Sequence, residues 1–203
     1  MTPLAGRTAW VFDLDGTLTL PNHDFDAIRR TLGIPEGALI LEYLATLPAR
    51  EAAPLHDRLR RIEAELAARV QGRPGRRALL EQLAARGCPL GILTRNTRDN
   101  ALASLAALGV DDLFDDAHVL GRDEAAPKPD PDGIHRLLAS WAVPADRAVM
   151  VGDFRLDLEA GRNAGVCTVH LEPDGDFAWP ELTDVAVTSL DALLERILTE
   201  PSP

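Results

Sequence analysis

Six short apolar runs, separated by stretches of helical periodicity, constrain this chain more than any other feature. The runs are TAWVFD (8–13), CPLGILT (88–94), DAHVL (116–120), RAVMVG (147–152), VCTVHL (166–171) and DVAVTS (184–189). Each is nearly continuous in apolar residues rather than alternating. A strand wetted on one face alternates, whereas a strand covered on both faces does not, so the runs read as a parallel sheet buried between helices. Helical patterns fall between them at about 74–86, 97–108, 131–141, 155–164 and 190–199. A crossover between parallel strands needs a dozen or more residues, and a helix supplies it. The alternation predicts an α/β fold built on a doubly wound, mainly parallel sheet.

The alternation breaks once, over residues 19–73. Phe25, Ile28 and Leu32 share one helix face, and Ile40, Leu44 and Leu47 share another. Leu55, Leu59, Ile62, Leu66 and Val70 form a longer stripe at spacings of three and four. Pro35, Pro48 and Pro74 punctuate these segments, and QGRPG (71–75) reads as a return hinge. The expected organisation is a core of residues 1–18 and 74–203, with a small helical domain over 19–73 inserted after the first strand.

Composition narrows the function classes. The 203 residues are 46% hydrophobic and 26% charged, an ordinary globular balance. The formal net charge of −11 argues against nucleic acid or an anionic membrane surface as partner, since both want a basic face. No apolar run reaches the roughly 18 residues that a membrane helix needs. The first residues lack the charged start, apolar stretch and small-residue cleavage site of a secretory signal, so a cytoplasmic protein is expected. Cys88 and Cys167 sit in apolar surroundings and read as reduced core thiols. No obligate protein partner is indicated. An acidic chain with an anionic small-molecule substrate would need a cation to bring the two together. One oddity is informative: Lys128 is the sole lysine among 21 basic residues.

Four segments carry candidate chemistry. Asp13-Leu14-Asp15-Gly16-Thr17 follows the first strand, and in open parallel sheets ligands bind beyond the carboxyl ends of strands. Thr94 ends the second strand, before Arg95 and Asn96, where a hydroxyl and nearby N–H groups suit a phosphate oxygen; taken alone, such a threonine is more often a helix cap. Lys128 lies in Ala-Pro-Lys-Pro-Asp-Pro, stiffened by its prolines, with Asp130 and Pro131 as expected N-cap and first helical residue. Gly152-Asp153 closes another strand, with Asp157 in the first turn of the next helix. If these segments converge, up to four carboxylates meet, which is costly without a cation. Oxygen-rich sites of this kind suit Mg²⁺.

In this order and on these elements, the segments resemble the haloacid dehalogenase-like (HAD) hydrolase superfamily. DLDGT is similar to its first motif, Thr94 to its second, Lys128 to its third, and Gly152-Asp153 with Asp157 to its fourth. The inserted helices resemble the C1-type cap of the phosphoglycolate phosphatase-like subfamily. Phe154-Arg155 departs from the pattern, standing where a small polar residue often follows the aspartate. The resemblance implies a Rossmann-like core and a Mg²⁺-dependent phosphomonoester hydrolase acting on a small phosphorylated metabolite. Asp13 would be the nucleophile that forms an aspartyl-phosphate, and Asp15 the general acid and base. Thr94, Arg95, Asn96 and Lys128 would hold the phosphoryl oxygens. Asp13, the backbone carbonyl of Asp15, Asp153 and Asp157 would form or orient the metal site.

Three rivals share parts of this pattern. A phosphomutase uses the same nucleophile and acid/base pair. A 2-haloacid dehalogenase is disfavoured by Asp15, and a non-enzymatic phospho-receiver by Asp15 and the insertion together. For the substrate's remainder, His23, Arg29, Arg30, Arg50, His56 and Arg58 are candidates by charge alone.

Overall fold

The computed structural model describes residues 4–22 and 24–199. The expectation for His23 lies outside them. Six strands, β1 (Ala9–Phe12), β2 (Leu90–Leu93), β3 (Val119–Leu120), β4 (Ala148–Gly152), β5 (Cys167–Leu171) and β6 (Val185–Val187), form one sheet in the order β3-β2-β1-β4-β5-β6. Every pairing is parallel. The order reverses at β1, so the crevice at its carboxyl end, between the β2 and β4 sides, is the place where such sheets bind ligands.

Five helices cover the sheet: α4 (Arg76–Ala85), α5 (Arg98–Leu108), α6 (Asp132–Trp141), α7 (Arg155–Ala164) and α8 (Leu190–Thr199). Strand residues alternate between the two resulting cores. Trp10, Phe12, Val149 and Val151 pack with Leu79, Leu83, Leu105 and Leu193 of α4, α5 and α8. Ala9, Val11, Ala148 and Met150 pack with Ile134, Leu137 and Ala160 of α6 and α7. Both faces are therefore dry, which is why the runs do not alternate in sequence. Each fully buried aliphatic side chain here contributes roughly 2 kcal/mol. Helix α6 starts one residue later than expected: Pro131 is its cap, and the Asp130 carboxylate accepts from the Asp132 N–H at 2.9 Å.

The inserted residues form α1 (Phe25–Leu32), α2 (Ile40–Thr46) and α3 (Ala49–Ala67). Their own apolar cluster joins Ile28, Leu32, Ile34, Leu44 and Leu59. Two expected face residues depart from it. Phe25 is 53% exposed, and Val70 lies beyond the end of α3 and packs on the sheet core instead. The chain leaves and re-enters the core side by side: Leu20 N–H donates to Gln71 O at 2.7 Å and Arg73 N–H to Leu18 O at 2.9 Å, around an antiparallel Thr19–Gly72 bridge. Among the described residues, no helix is long and apolar enough to cross a membrane. Both cysteines are reduced thiols; Cys167 is buried and Cys88 half-buried.

Candidate active site

The sheet's carboxyl edge assembles the sequence candidates from four separate loops. Asp13 follows β1 and is buried, as is Lys128 in the loop before α6. The Lys128 ammonium lies 2.5 Å from Asp13 Oδ1 and 2.6 Å from Asp157 Oδ1, and so bridges two carboxylates. A solvated loop lysine would do neither. Carboxylate oxygens of Asp13, Asp153 and Asp157 lie within 4.8 Å of one another. The Asp15 carboxylate is not part of that group, so any place for Asp15 in a cation site rests on its backbone carbonyl.

Local backbone explains how these groups come so close. Gly16 has φ +96°, and a β-carbon there would collide with the Asp153 carboxylate. A β-carbon on Gly152 would collide with the Asp157 side chain. Both positions need glycine because carboxylates occupy the space a side chain would fill. Asp157 is fixed by the Phe154 N–H, which donates to its Oδ2 at 3.0 Å, and Asp153 by the Thr17 hydroxyl, which donates to its Oδ1 at 2.8 Å.

Thr94 and Asn96 converge on Asp15. The Thr94 hydroxyl and the Asn96 amide each reach its Oδ2 at 3.4 Å, while the Asn96 N–H donates to Thr94 Oγ1 at 3.0 Å. The helix cap in this segment is Thr97, not Thr94. Arg95 is directed elsewhere: it donates to the Lys128 carbonyl at 3.2 Å and pairs with Glu42 of α2 at 2.7 Å. Of the charged candidates in the insertion, Arg30, Arg50 and Arg58 are exposed, whereas Arg29 lines the cavity that Asp13, Asp15 and Lys128 share and His56 a separate groove.

Two further residues have no motif to announce them, and Thr17, inside the first motif, was assigned no role from sequence. Buried Arg73, on the returning segment, donates to the carbonyls of Gly16 and Thr17. Arg122, after β3, forms a buried two-pronged pair with Glu63 of α3 at 2.7 and 2.8 Å. Thr17 holds Asp153. In a chain where nearly every basic residue is arginine, nothing in the sequence singles out Arg73 or Arg122; only the setting of Arg73 between Gly72 and Pro74 hints at a constrained position.

Electrostatics follow from one ammonium among four carboxylates. Burial and the neighbouring Asp157, Asp153 and Asp15 raise the Asp13 carboxyl well above its usual range, against the pull of Lys128. Burial and Asp157 push Asp153 up to about 7, against the Thr17 hydrogen bond and Lys128. Burial disfavours the charged Lys128, but Asp13 and Asp157 outweigh it and hold the ammonium above the ordinary lysine value. A cluster that strains to keep its protons is one that a divalent cation would relieve, and three converging carboxylate oxygens with a hydroxyl nearby fit a hard, oxygen-seeking ion.

A family model described as haloacid dehalogenase-like hydrolase matches residues 20–171. An uncharacterized hydrolase of Saccharomyces cerevisiae is 31% identical over 196 residues, covering 93% of this chain and 90% of its own. A phosphoglycolate phosphatase of Rhodospirillum rubrum is 36% identical over 189 residues, covering 79% of this chain and 78% of its own. A solved hydrolase structure from Pseudomonas syringae superposes with a TM-score of 0.77 at 23% identity, covering 96% of this chain and all of that one, which is a likeness of fold.

Proposed function

The chain belongs to the haloacid dehalogenase-like hydrolases, and from that premise we propose that it is a Mg²⁺-dependent phosphomonoester hydrolase acting on a small phosphorylated metabolite through an aspartyl-phosphate. The observation that carries this reading is the buried Asp13 carboxylate at the sheet's switch point, held against Lys128 with Asp15 two residues on. The phosphatase relative supports the reaction class.

The residues divide the work by position. Asp13 attacks phosphorus, forming an Asp13 oxygen–phosphorus bond as the bond to the leaving oxygen breaks. Asp15 gives its proton to the departing alkoxide, then removes one from the water that cleaves the aspartyl-phosphate. Thr94 and Asn96, already within reach of Asp15, orient that carboxylate and meet phosphoryl oxygens. Lys128 offsets charge as it spreads onto those oxygens, a purely electrostatic contribution of the kind that dominates phosphoryl transfer. Asp13, the Asp15 carbonyl and Asp153 would hold Mg²⁺, with Asp157 orienting the cluster; when bound, the ion would supply the positive charge that lets a phosphate dianion approach an acidic site. Residues 19–73 act as the cap over this centre.

Inorganic phosphate release from p-nitrophenyl phosphate tests the reading. Activity should require Mg²⁺ and vanish in EDTA, and Asp13→Asn should fall below about one per cent of wild type. Asp15→Asn should still be phosphorylated by this substrate, whose leaving group needs no protonation, and should accumulate a phosphoryl adduct on Asp13 visible by mass spectrometry. Turnover by Asp13→Asn, or an adduct elsewhere, would overturn the assignment.

A further inference from the structure

We propose that the catalytic cavity selects phosphomonoesters whose alcohol carries an uncharged, apolar body, an alkyl chain or an aryl ring, through a collar of Phe25, Leu39 and Phe154; this rests on the phosphatase reading above. The cavity encloses about 400 Å³ between the catalytic residues and the inserted helices. Among the described residues, the large hydrophobic side chains left exposed are Phe25 (53%), Leu39 (40%), Phe154 (48%) and Leu198 (53%). Three of these four line this one cavity. They come from three separate segments: the first residue of α1, the cap residue of α2 and the cap residue of α7. Exposed apolar side chains scattered singly need no explanation, but their concentration at one opening does. Phe154 also stands at the position where the fourth motif departs from its usual small polar residue. Its ring meets Trp179 edge-on, with centroids 5.8 Å apart, so one side of it is packed while the other faces the cavity.

The deeper wall continues the pattern with Ile28, Ile40 and Leu59. The charged groups at the same wall are engaged with other partners. Arg29 pairs with Asp26 at 2.9 Å and donates to the Ala38 carbonyl at 3.3 Å. Arg95 is held by Glu42, and Glu63 by Arg122. What remains to meet the leaving group is hydrocarbon, and covering it removes apolar surface from water. The opposing possibility has a specific seat: Arg29 Nε is buried without a hydrogen-bond partner, and a substrate carboxylate would satisfy it.

The experiment measures kcat/KM of the full chain with Mg²⁺ for methyl, butyl and hexyl phosphate and for phosphoglycolate. Each added methylene should raise kcat/KM by about two- to fourfold, placing hexyl phosphate above phosphoglycolate. Phe154→Ser, which keeps the backbone N–H that holds Asp157, and Leu39→Ser, remote from the carboxylates, should each lower the hexyl-to-methyl ratio by about threefold or more. A flat series overturns the proposal, as does a preference for phosphoglycolate that Arg29→Gln abolishes. If neither these esters nor p-nitrophenyl phosphate is turned over, the phosphatase reading fails by itself, and calorimetry decides on the collar. Tighter binding of hexylphosphonate than of methylphosphonate, with a more negative heat-capacity change, supports it; equal affinities overturn it.

Discussion

The crowding of carboxylates makes stability itself a reporter of the site. Replacing Asp153 by Asn keeps the acceptor for the Thr17 hydroxyl but removes one negative charge from beside Asp157. In the metal-free protein the Asp153 carboxyl holds its proton up to about pH 7, whereas in an unfolded chain it loses it near 4. Between those values the folded state binds more protons than the unfolded one, so wild-type stability falls as pH rises through that window. The full difference corresponds to about 4 kcal/mol at most. Asp153 keeps part of its surface in solvent, which trims the expected effect to about 2 kcal/mol. For a chain of this length, that is a rise in Tm of roughly 4–8 °C for Asp153→Asn at pH 8 in EDTA, and close to none at pH 4. Thermal melts at the two pH values, with and without Mg²⁺, make the measurement. Mg²⁺ should stabilise the wild type more at pH 8 than at pH 5, and should do little for the variant. A variant that melts no higher than wild type at pH 8, or that gains as much from Mg²⁺, would refute the reasoning.

Two further outcomes test neighbouring features. Lys128→Arg should reduce kcat by about a hundredfold or more, because a planar guanidinium cannot replace a compact ammonium seated between Asp13 and Asp157; retention within fivefold would count against the role. Arg122→Ala should cost about 3 kcal/mol in chemical denaturation, since it leaves the buried Glu63 carboxylate without its partner, and Glu63→Gln combined with Arg122→Met should recover most of that loss.

The sheet was legible because a strand buried on both faces must be apolar along its length, and β1 and β4 are. The site was legible where strand ends place it: Asp13, Thr94 and Asp153 each follow a strand directly. Lys128 stood out because it resists the chain's arginine bias. What stayed hidden depends on distance along the chain. Arg122 and Glu63 are 59 residues apart and Arg73 and Gly16 are 57 apart, and no periodicity connects such pairs. Phe25 misled for a related reason. Its spacing puts it on the face of Ile28 and Leu32, but it begins α1, where the helix has no preceding turn to pack beneath it, and it opens onto the cavity over Asp13 instead. The carboxylate crowding was expected, but its sharing of one ammonium between Asp13 and Asp157 could be read only in three dimensions.

The side-by-side departure and return of the chain at Leu18–Leu20 and Gln71–Arg73 has a mechanical consequence. A ribbon two strands wide, pinned by backbone hydrogen bonds, resists stretching and sliding but yields to rotation about its own length. The ribbon is the axle about which the helices beyond it would turn over the crevice, once the Arg95–Glu42 and Arg122–Glu63 pairs part. Arg73 sits on that axle and grips the carbonyls of Gly16 and Thr17. Any turn of the ribbon would act on the loop that follows Asp13, and the Thr17 hydroxyl links that loop to Asp153. The root of the inserted helices and the loop that follows Asp13 are thus joined through a single guanidinium.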